Sequence, residues 1–326
     1  MPWAVQIDSF GGPEKLIMRE VEMPVPAEGE LLVRVTAAGL NFIDTYHRTG
    51  YYPVPELPAT LGVEGAGRIE AIGSGVDGWT VGDRVAFAGP RRGAYAQYHV
   101  IPEATAVALP DSVDDVQAAA MMLKGMTARY LLRETYPVGP EDTILVHAAA
   151  GGVGSILVQW AHHLGATIIG TVGSPEKADL ARSYGCAHPV LYRQEDVAQR
   201  VREITDGRGV AVVYDSVGRD TFEQSLSCLR RRGMIVTFGQ SSGAIEAFDP
   251  VLLSRHGSLF LTRPTLFDYI VTREEIDANA AELFDLVTRG VLDIPARQVF
   301  PLSDAAAAHR ALEARETRGS TVLVVE

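Results

Sequence analysis

Residues 147–155 read His147-Ala148-Ala149-Ala150-Gly151-Gly152-Val153-Gly154-Ser155 and follow the apolar run Ile144-Leu145-Val146. An apolar strand that enters a glycine turn and leaves it as a helix aims backbone N–H groups and the positive end of the helix dipole at one point. A pyrophosphate needs that arrangement. The turn is Ala149-x-Gly151-x-x-Gly154, with alanine at the first glycine position of the dinucleotide fingerprint. Because glycines also serve ordinary turns, the flanking strand and helix carry the reading. The next apolar run, 167–172, leads into Gly173-Ser174-Pro175-Glu176-Lys177. A ribose 2′-hydroxyl wants a carboxylate acceptor there, whereas a 2′-phosphate wants a cation and hydroxyl donors. No acidic residue occupies 170–174, while Ser174 and Lys177 are at hand. The pair selects NADPH, against the bland alternative that Lys177 is a solvated helical lysine. Tyr192 either adds a hydroxyl to the same phosphate or is a strand-edge aromatic.

Outward from this turn the chain alternates. Runs rich in β-branched and apolar residues at 143–146, 167–172, 210–215, 234–238 and 258–262 are separated by helical patterns at 154–164, 175–184, 195–205 and 220–229. That spacing predicts a right-handed βαβ series and a doubly wound parallel sheet. Ligands of such sheets lie beyond the carboxyl ends of the strands, so the turns at 215–218, 238–241 and 263–265 are candidate cleft linings or, equally, helix caps. Residues 1–110 differ in texture. Alternating, glycine-punctuated runs at 31–37, 65–72, 83–88 and 94–101 predict an antiparallel β unit, with the Pro53, Pro55 and Pro58 cluster as a stiff surface loop. A helix capped by Asp114 or Asp115 runs toward Leu132, two more cover 273–289 and 303–316, and 321–325 reads as a strand that could rejoin the first unit.

Composition narrows the function class. At 326 residues there is room for two cores. A net charge of −12, with no basic run longer than Arg230-Arg231-Arg232, argues against nucleic acid. Those arginines are read as a solvated helix end. No apolar segment approaches the ~18 residues of a membrane span, and the amino terminus lacks a secretory pattern. Two cysteines, Cys186 and Cys228, suit packing in a reducing compartment. They cannot supply a zinc site, which needs about three or four ligands, and His162 and His163 diverge on a helix. His47 and His99 are read as residues with a generic polar or hydrogen-bonded role.

Several stretches together resemble one family, the zinc-free quinone oxidoreductases (the ζ-crystallin-like branch of the medium-chain dehydrogenases/reductases). They are Ala38-Gly39-Leu40-Asn41-Phe42-Ile43-Asp44-Thr45-Tyr46, Leu61-Gly62-Val63-Glu64-Gly65-Ala66-Gly67, Val81-Gly82-Asp83-Arg84-Val85, Leu123-Lys124-Gly125-Met126-Thr127-Ala128, the 147–154 turn and Tyr214-Asp215-Ser216-Val217-Gly218. The resemblance covers essentially the whole chain. It implies a GroES-like, mostly antiparallel β domain over 1–123 and 268–326 and a Rossmann NADPH-binding domain over 124–267. It also implies a homodimer joined through the last Rossmann strand near 257–264, while the reducing compartment read from the two cysteines points to the cytoplasm. In zinc-dependent relatives, metal ligands sit where this chain has Asn41 and Val63.

Carried over by position, the resemblance places adenosine-phosphate contacts on Gly173, Ser174, Lys177, Tyr192 and Arg315. Pyrophosphate and nicotinamide contacts fall on Gly151, Gly152, Val153, Ser216, Phe238, Gly239, Gln240, Ser241 and Thr265, and on Asn41, Phe42 and Tyr46. Thr127 and Tyr130 fall near the nicotinamide end. The implied reaction is hydride transfer from nicotinamide C4 to a quinone-like acceptor reactive enough to need no metal. Asn41, Tyr46 and Tyr52 are candidates to position the acceptor or donate to its oxygen, and the plain alternative for Tyr52 is a rim aromatic. Two alternatives stay open: an NADPH-dependent enone or acrylyl C=C reductase on the same fold, and a crystallin-like or RNA-binding protein.

Overall fold

Thr143–Val146, the run that enters the glycine turn, lies inside a six-stranded sheet. Across that sheet the order is His188–Leu191, Thr167–Val172, Thr143–Val146, Val210–Asp215, Leu229–Thr237 and Phe260–Thr262, every neighbouring pair parallel. In chain order this is third, second, first, fourth, fifth, sixth. The winding direction therefore reverses between Thr143–Val146 and Val210–Asp215, and their carboxyl ends flank the crevice where such sheets bind ligands. Both faces of the sheet are covered, so Val210–Asp215 is buried along its whole length. Leu145, Ile169, Val190, Val213 and Ile235 meet Val201, Phe222 and Leu226 in one apolar cluster.

The computed structural model describes all residues, Met1–Glu326, in two compact units. The parallel sheet belongs to the unit formed by Thr127–Tyr269 and Gly290–Asp293, and the other comprises Met1–Met126, Ile270–Arg289 and Ile294–Glu326. In the latter, the long strand Glu30–Leu40 pairs antiparallel with Glu64–Ile72, with Tyr98–Pro102 and with Ser320–Val324. The carboxyl-terminal strand does rejoin the first unit: Val322 faces Gly39, and Ala296–Pro301 adds in parallel on its outer side. Alternation in Glu30–Leu40 buries Leu31, Val33 and Val35 against Ile69, Val85, Phe87 and Ile101.

Two expectations need correction. Arg230-Arg231-Arg232 are not a helix end: the helix Phe222–Cys228 stops before them, and they form the exposed start of the strand Leu229–Thr237. Arg232 adopts φ of 58°, and the pairing with Val210–Asp215 shifts register there. A bulge of this kind leaves the three side chains to solvent. The strand expected over 94–101 is shorter, Tyr98–Pro102, because residues 94–97 bond elsewhere, Ala94 N to Gly62 O, Tyr95 N to Leu61 O and Gln97 N to Trp3 O. The strands Trp3–Ile7 and Ile17–Glu20, a pair in a small separate sheet, were not anticipated.

Candidate active site

The glycine turn is held from beneath. Its backbone is pinned to the neighbouring strand, with Ala149 N donating to Thr171 O at 3.0 Å and Ala148 N to Thr171 Oγ1 at 3.2 Å. Gly151 N donates back to Ala148 O at 2.8 Å, a turn that Ala148 makes with φ of 52°. The helix Gly152–His163 starts at Gly151 without any side-chain cap, so its first N–H groups face outward with the dipole behind them. A Cβ on Gly154 would overlap the Ala148 carbonyl oxygen, which is why the helix can begin this close to the strand end.

Under the turn lies a buried polar chain that the sequence reading did not single out. His147 faces Thr171 Oγ1 at 3.0 Å through Nδ1 and Ser225 Oγ at 2.9 Å through Nε2. Burial holds its imidazole below the ordinary range, against the pull of Asp215. Asp215 Oδ1 accepts from Val217 N at 2.7 Å and Gly218 N at 3.0 Å, and Thr221 Oγ1 reaches both of its oxygens. The carboxylate thus shapes the Ser216 turn. Ser241 N donates to Ser216 O at 3.1 Å and Phe238 N to Asp215 O at 2.9 Å, so Ser216, Phe238, Gly239, Gln240 and Ser241 form one stitched rim. Thr265 follows the edge strand Phe260–Thr262. In the same unit Tyr130 stacks on Tyr269, ring centroids 4.2 Å apart, and Thr127 is buried.

At the end of the second strand the four phosphate candidates of this unit meet. Ser174 caps the helix Pro175–Ser183, its Oγ accepting from Lys177 N at 3.4 Å. A Cβ on Gly173 would lie 3.0 Å from Tyr192 Oη, which puts that hydroxyl over the same turn. Arg193 stands over the Tyr192 ring, 6.0 Å from its centroid. It is a second cation that the sequence reading passed over despite its adjacency to Tyr192. Arg315 belongs to the other unit, just after the helix Ala305–Glu313, at φ of 60°.

In that unit the helix Phe42–Thr49 follows directly on Glu30–Leu40 and is capped at Asn41, whose N–H donates to Asp44 Oδ2 at 2.8 Å. The helix carries Tyr46 outward into an aromatic cluster. Its ring lies 6.3 Å from Phe42, 5.9 Å from Tyr51 and 5.1 Å from Tyr52. Tyr52 N donates to Tyr46 O at 3.0 Å. His47 also packs on Tyr52; its Nδ1 is buried without a partner, and burial holds it down to about 4. His99 Nε2 is without a partner, but the ring is hydrogen-bonded to the Arg91 backbone.

Asn41 Nδ2 lies 3.2 Å from Glu64 Oε2, and Lys124 Nζ lies 3.2 Å from Glu64 Oε1. This ion pair is closed to solvent, at 5% and 0% side-chain exposure. Glu64 and Lys124 each sit alone in an apolar run, and opposite charges in such runs need each other. That was the available signal.

Behind the helix a second chain has a fixed direction. Arg48 donates to His309 Nδ1 at 3.0 Å, so His309, held neutral by burial down to about 3, donates from Nε2 to Tyr95 Oη at 3.3 Å. Tyr95 in turn donates to Asp44 Oδ2 at 3.1 Å. Asp44 Oδ1 is buried with no partner, and burial is the main cause that raises its carboxyl from 3.8 to about 7. A folded value above the unfolded one means that the native state holds this proton more tightly. The stability Asp44 contributes is fully present below 3.8 and lost as pH rises through about 7. Asp44→Asn keeps an acceptor for Asn41 and Tyr95 without the charge. Between pH 4 and 8 its Tm is expected to fall by a few degrees less than that of wild type. Parallel Tm–pH curves would refute the assignment.

No group of three or more His, Cys, Asp and Glu side chains comes together to hold a metal ion. Both cysteines are free and buried, and burial pushes their thiols up to about 11 for Cys186 and about 12 for Cys228.

Against known proteins, the alcohol dehydrogenase GroES-like domain matches residues 27–111 and the zinc-binding dehydrogenase family matches residues 152–287. The chain is 52% identical to a quinone oxidoreductase of Pseudomonas aeruginosa, over 98% of each chain. It is 48% identical to a 2-haloacrylate reductase of a Burkholderia species, over 99% of each. The crystal structure of Escherichia coli quinone oxidoreductase complexed with NADPH superposes with a TM-score of 0.97 at 49% identity, over 99% of each chain.

Proposed function

The chain belongs to the quinone oxidoreductase family, and from that premise we propose that it reduces quinones with NADPH and without zinc. One observation carries the cofactor choice: Ser174, Lys177 and Tyr192 gather around Gly173 at the end of the second parallel strand. Two hydroxyls there, with Lys177 on the first turn of the helix that Ser174 caps, suit a 2′-phosphate and leave a bare 2′-hydroxyl without a carboxylate.

In this reading Gly151, Gly152 and Val153 present N–H groups to the pyrophosphate, and Arg315 joins Lys177 on the adenosine phosphate. Ser216, Phe238, Gly239, Gln240, Ser241 and Thr265 line the path to the nicotinamide. Thr127, Tyr130, Asn41, Phe42 and Tyr46 complete it. NADPH, when bound, supplies a hydride from its nicotinamide C4. The chain's own part is to hold a planar acceptor and to meet the charge that develops on its oxygen. Tyr46 and Tyr52, in edge contact at 5.1 Å, offer flat apolar faces with hydroxyl tips suited to both tasks.

The test is initial NADPH and NADH consumption with 1,4-benzoquinone, 9,10-phenanthrenequinone and a small enone, with the metal content of the same sample assayed. Quinone rates should dominate with NADPH, at sub-stoichiometric zinc. A dominant enone rate would favour the second reading, a C=C reductase, which the likeness to 2-haloacrylate reductase supports. Removing the hydroxyl in Tyr46→Phe and Tyr52→Phe is expected to lower kcat/KM for quinones about tenfold in at least one case. Full activity in both would leave the tyrosines a positioning role alone.

Homodimerisation through the outer edge of Phe260–Thr262 is part of the same reading. That strand pairs on one side only, and Phe260 is 58% exposed on it. Sedimentation at twice the chain mass, lost in Phe260→Lys, is the expected result. A cytoplasmic enzyme is consistent with two free cysteines, and no helix is long and apolar enough to cross a membrane. Cell fractionation would decide the compartment.

A further inference from the structure

Glu64 opens the strand Glu64–Ile72 and is fully buried. Its carboxylate meets donors on both oxygens: Lys124 Nζ at 3.2 Å on Oε1, and Leu123 N and Asn41 Nδ2, each at 3.2 Å, on Oε2. An ammonium and a backbone N–H can only donate. Glu64 is therefore the acceptor throughout, and the face of the Asn41 amide turned to it must be the nitrogen. An Asn41 carbonyl in that place would set two acceptors against each other beside a buried negative charge. The second Asn41 amide hydrogen points toward Gly39 O, 3.5 Å away. Gly39 is the residue that admits this arrangement, since a Cβ there would overlap the Glu64 carboxylate and the Ala119 carbonyl. Both amide hydrogens are thus directed at acceptors within the protein, while the carbonyl oxygen faces the Asp44 N–H in the capping box of the helix Phe42–Thr49 and keeps its second lone pair for a ligand.

We propose that Glu64 and Lys124 are positioning residues that lock the Asn41 amide so that it offers a ligand its carbonyl oxygen and no donor. This rests on the reading above that Asn41 touches cofactor or acceptor. Asn41 then holds an N–H or O–H of the ligand, such as a carboxamide or a sugar hydroxyl. It takes no part in stabilising an oxyanion.

The polarity can be reversed by exchange. Glu64→Gln removes the charge that orients the amide and is expected to lower kcat/KM at least tenfold. Asn41→Asp sets two carboxylates face to face and is expected to do the same. In the double variant Asn41→Asp with Glu64→Gln, the new Gln donates where Asn41 did. Lys124 keeps a carboxylate nearby, and an oxygen still faces the ligand. Activity is expected to recover to within a few-fold of wild type, with a small residual loss at the Leu123 N–H. If Asn41 serves as a donor, the double variant stays as poor as Asn41→Asp, and the proposal fails.

A second measurement does not depend on variant folding. The chain has two asparagines, Asn41 and Asn279, so ¹⁵N-asparagine labelling gives two side-chain amide pairs. The Asn41 pair is expected to exchange with solvent at least tenfold more slowly than a free amide, before and after NADPH is added. Fast exchange in the free enzyme would overturn the proposal. Because that exchange is read without any acceptor, while wild-type quinone turnover is read separately, failure of one reading is distinguishable from failure of the other.

Discussion

Gly154→Ala is expected to raise the Kd for NADPH about a hundredfold or more while leaving most of the fold intact. The added methyl overlaps the Ala148 carbonyl oxygen, so either the helix Gly152–His163 moves away from the strand end or the turn opens. Overpacking of this kind costs about 1–3 kcal/mol in the folded chain. The larger loss is functional. N–H groups at the helix start make charge-assisted hydrogen bonds worth roughly 1.5–3 kcal/mol each, and a shift of the helix misaims several together. Titration of the cofactor by fluorescence or calorimetry, with a melting curve alongside, separates the two effects. Wild-type affinity in a folded variant would mean that the glycine turn does not hold the pyrophosphate.

The second large effect concerns cofactor choice. Lys177→Ala should raise the KM for NADPH roughly 10- to 100-fold, the loss of one charge-assisted phosphate contact. The kinetics with NADH, which has no 2′-phosphate, should change little. The ratio of the two kcat/KM values is therefore the informative quantity. An equal fall with both cofactors would make Lys177 a structural residue, and the specificity would pass to Arg193 and Tyr192, which stand together.

The parallel sheet was legible because burial on both faces writes each strand as a continuous apolar run; Thr143–Val146, Thr167–Val172 and Val210–Asp215 have the predicted limits. Strands with one exposed face at the protein's rim were harder. Ile17–Glu20 is largely exposed and does not read as core, whereas Trp3–Ile7 buries Ala4, Val5 and Ile7 but is only five residues long and begins on the exposed Trp3. The arginine run misled because charge alone does not distinguish a helix end from a bulged strand. In the site, residues close in sequence were found together: Ser174 with Lys177, and Tyr46 with Tyr52. Partners far apart were not. Glu64 and Lys124 are separated by 60 positions and His147 and Ser225 by 78, and no local pattern announces that two buried polar groups satisfy each other.

The strand Ser320–Val324 lies between Ala296–Pro301 and Glu30–Leu40. A ribosome therefore releases the half that carries the parallel sheet as a nearly unbroken stretch, Thr127–Tyr269. The half made first must wait: the Ala37–Leu40 flank of its longest strand stays unpaired on that side until Thr321–Val324 emerge. During that interval an open β edge is exposed to other nascent chains. Nascent-chain truncations ending near 319 should accordingly bind holdase chaperones through the amino-terminal half, and chains that include Thr321–Val324 should be released.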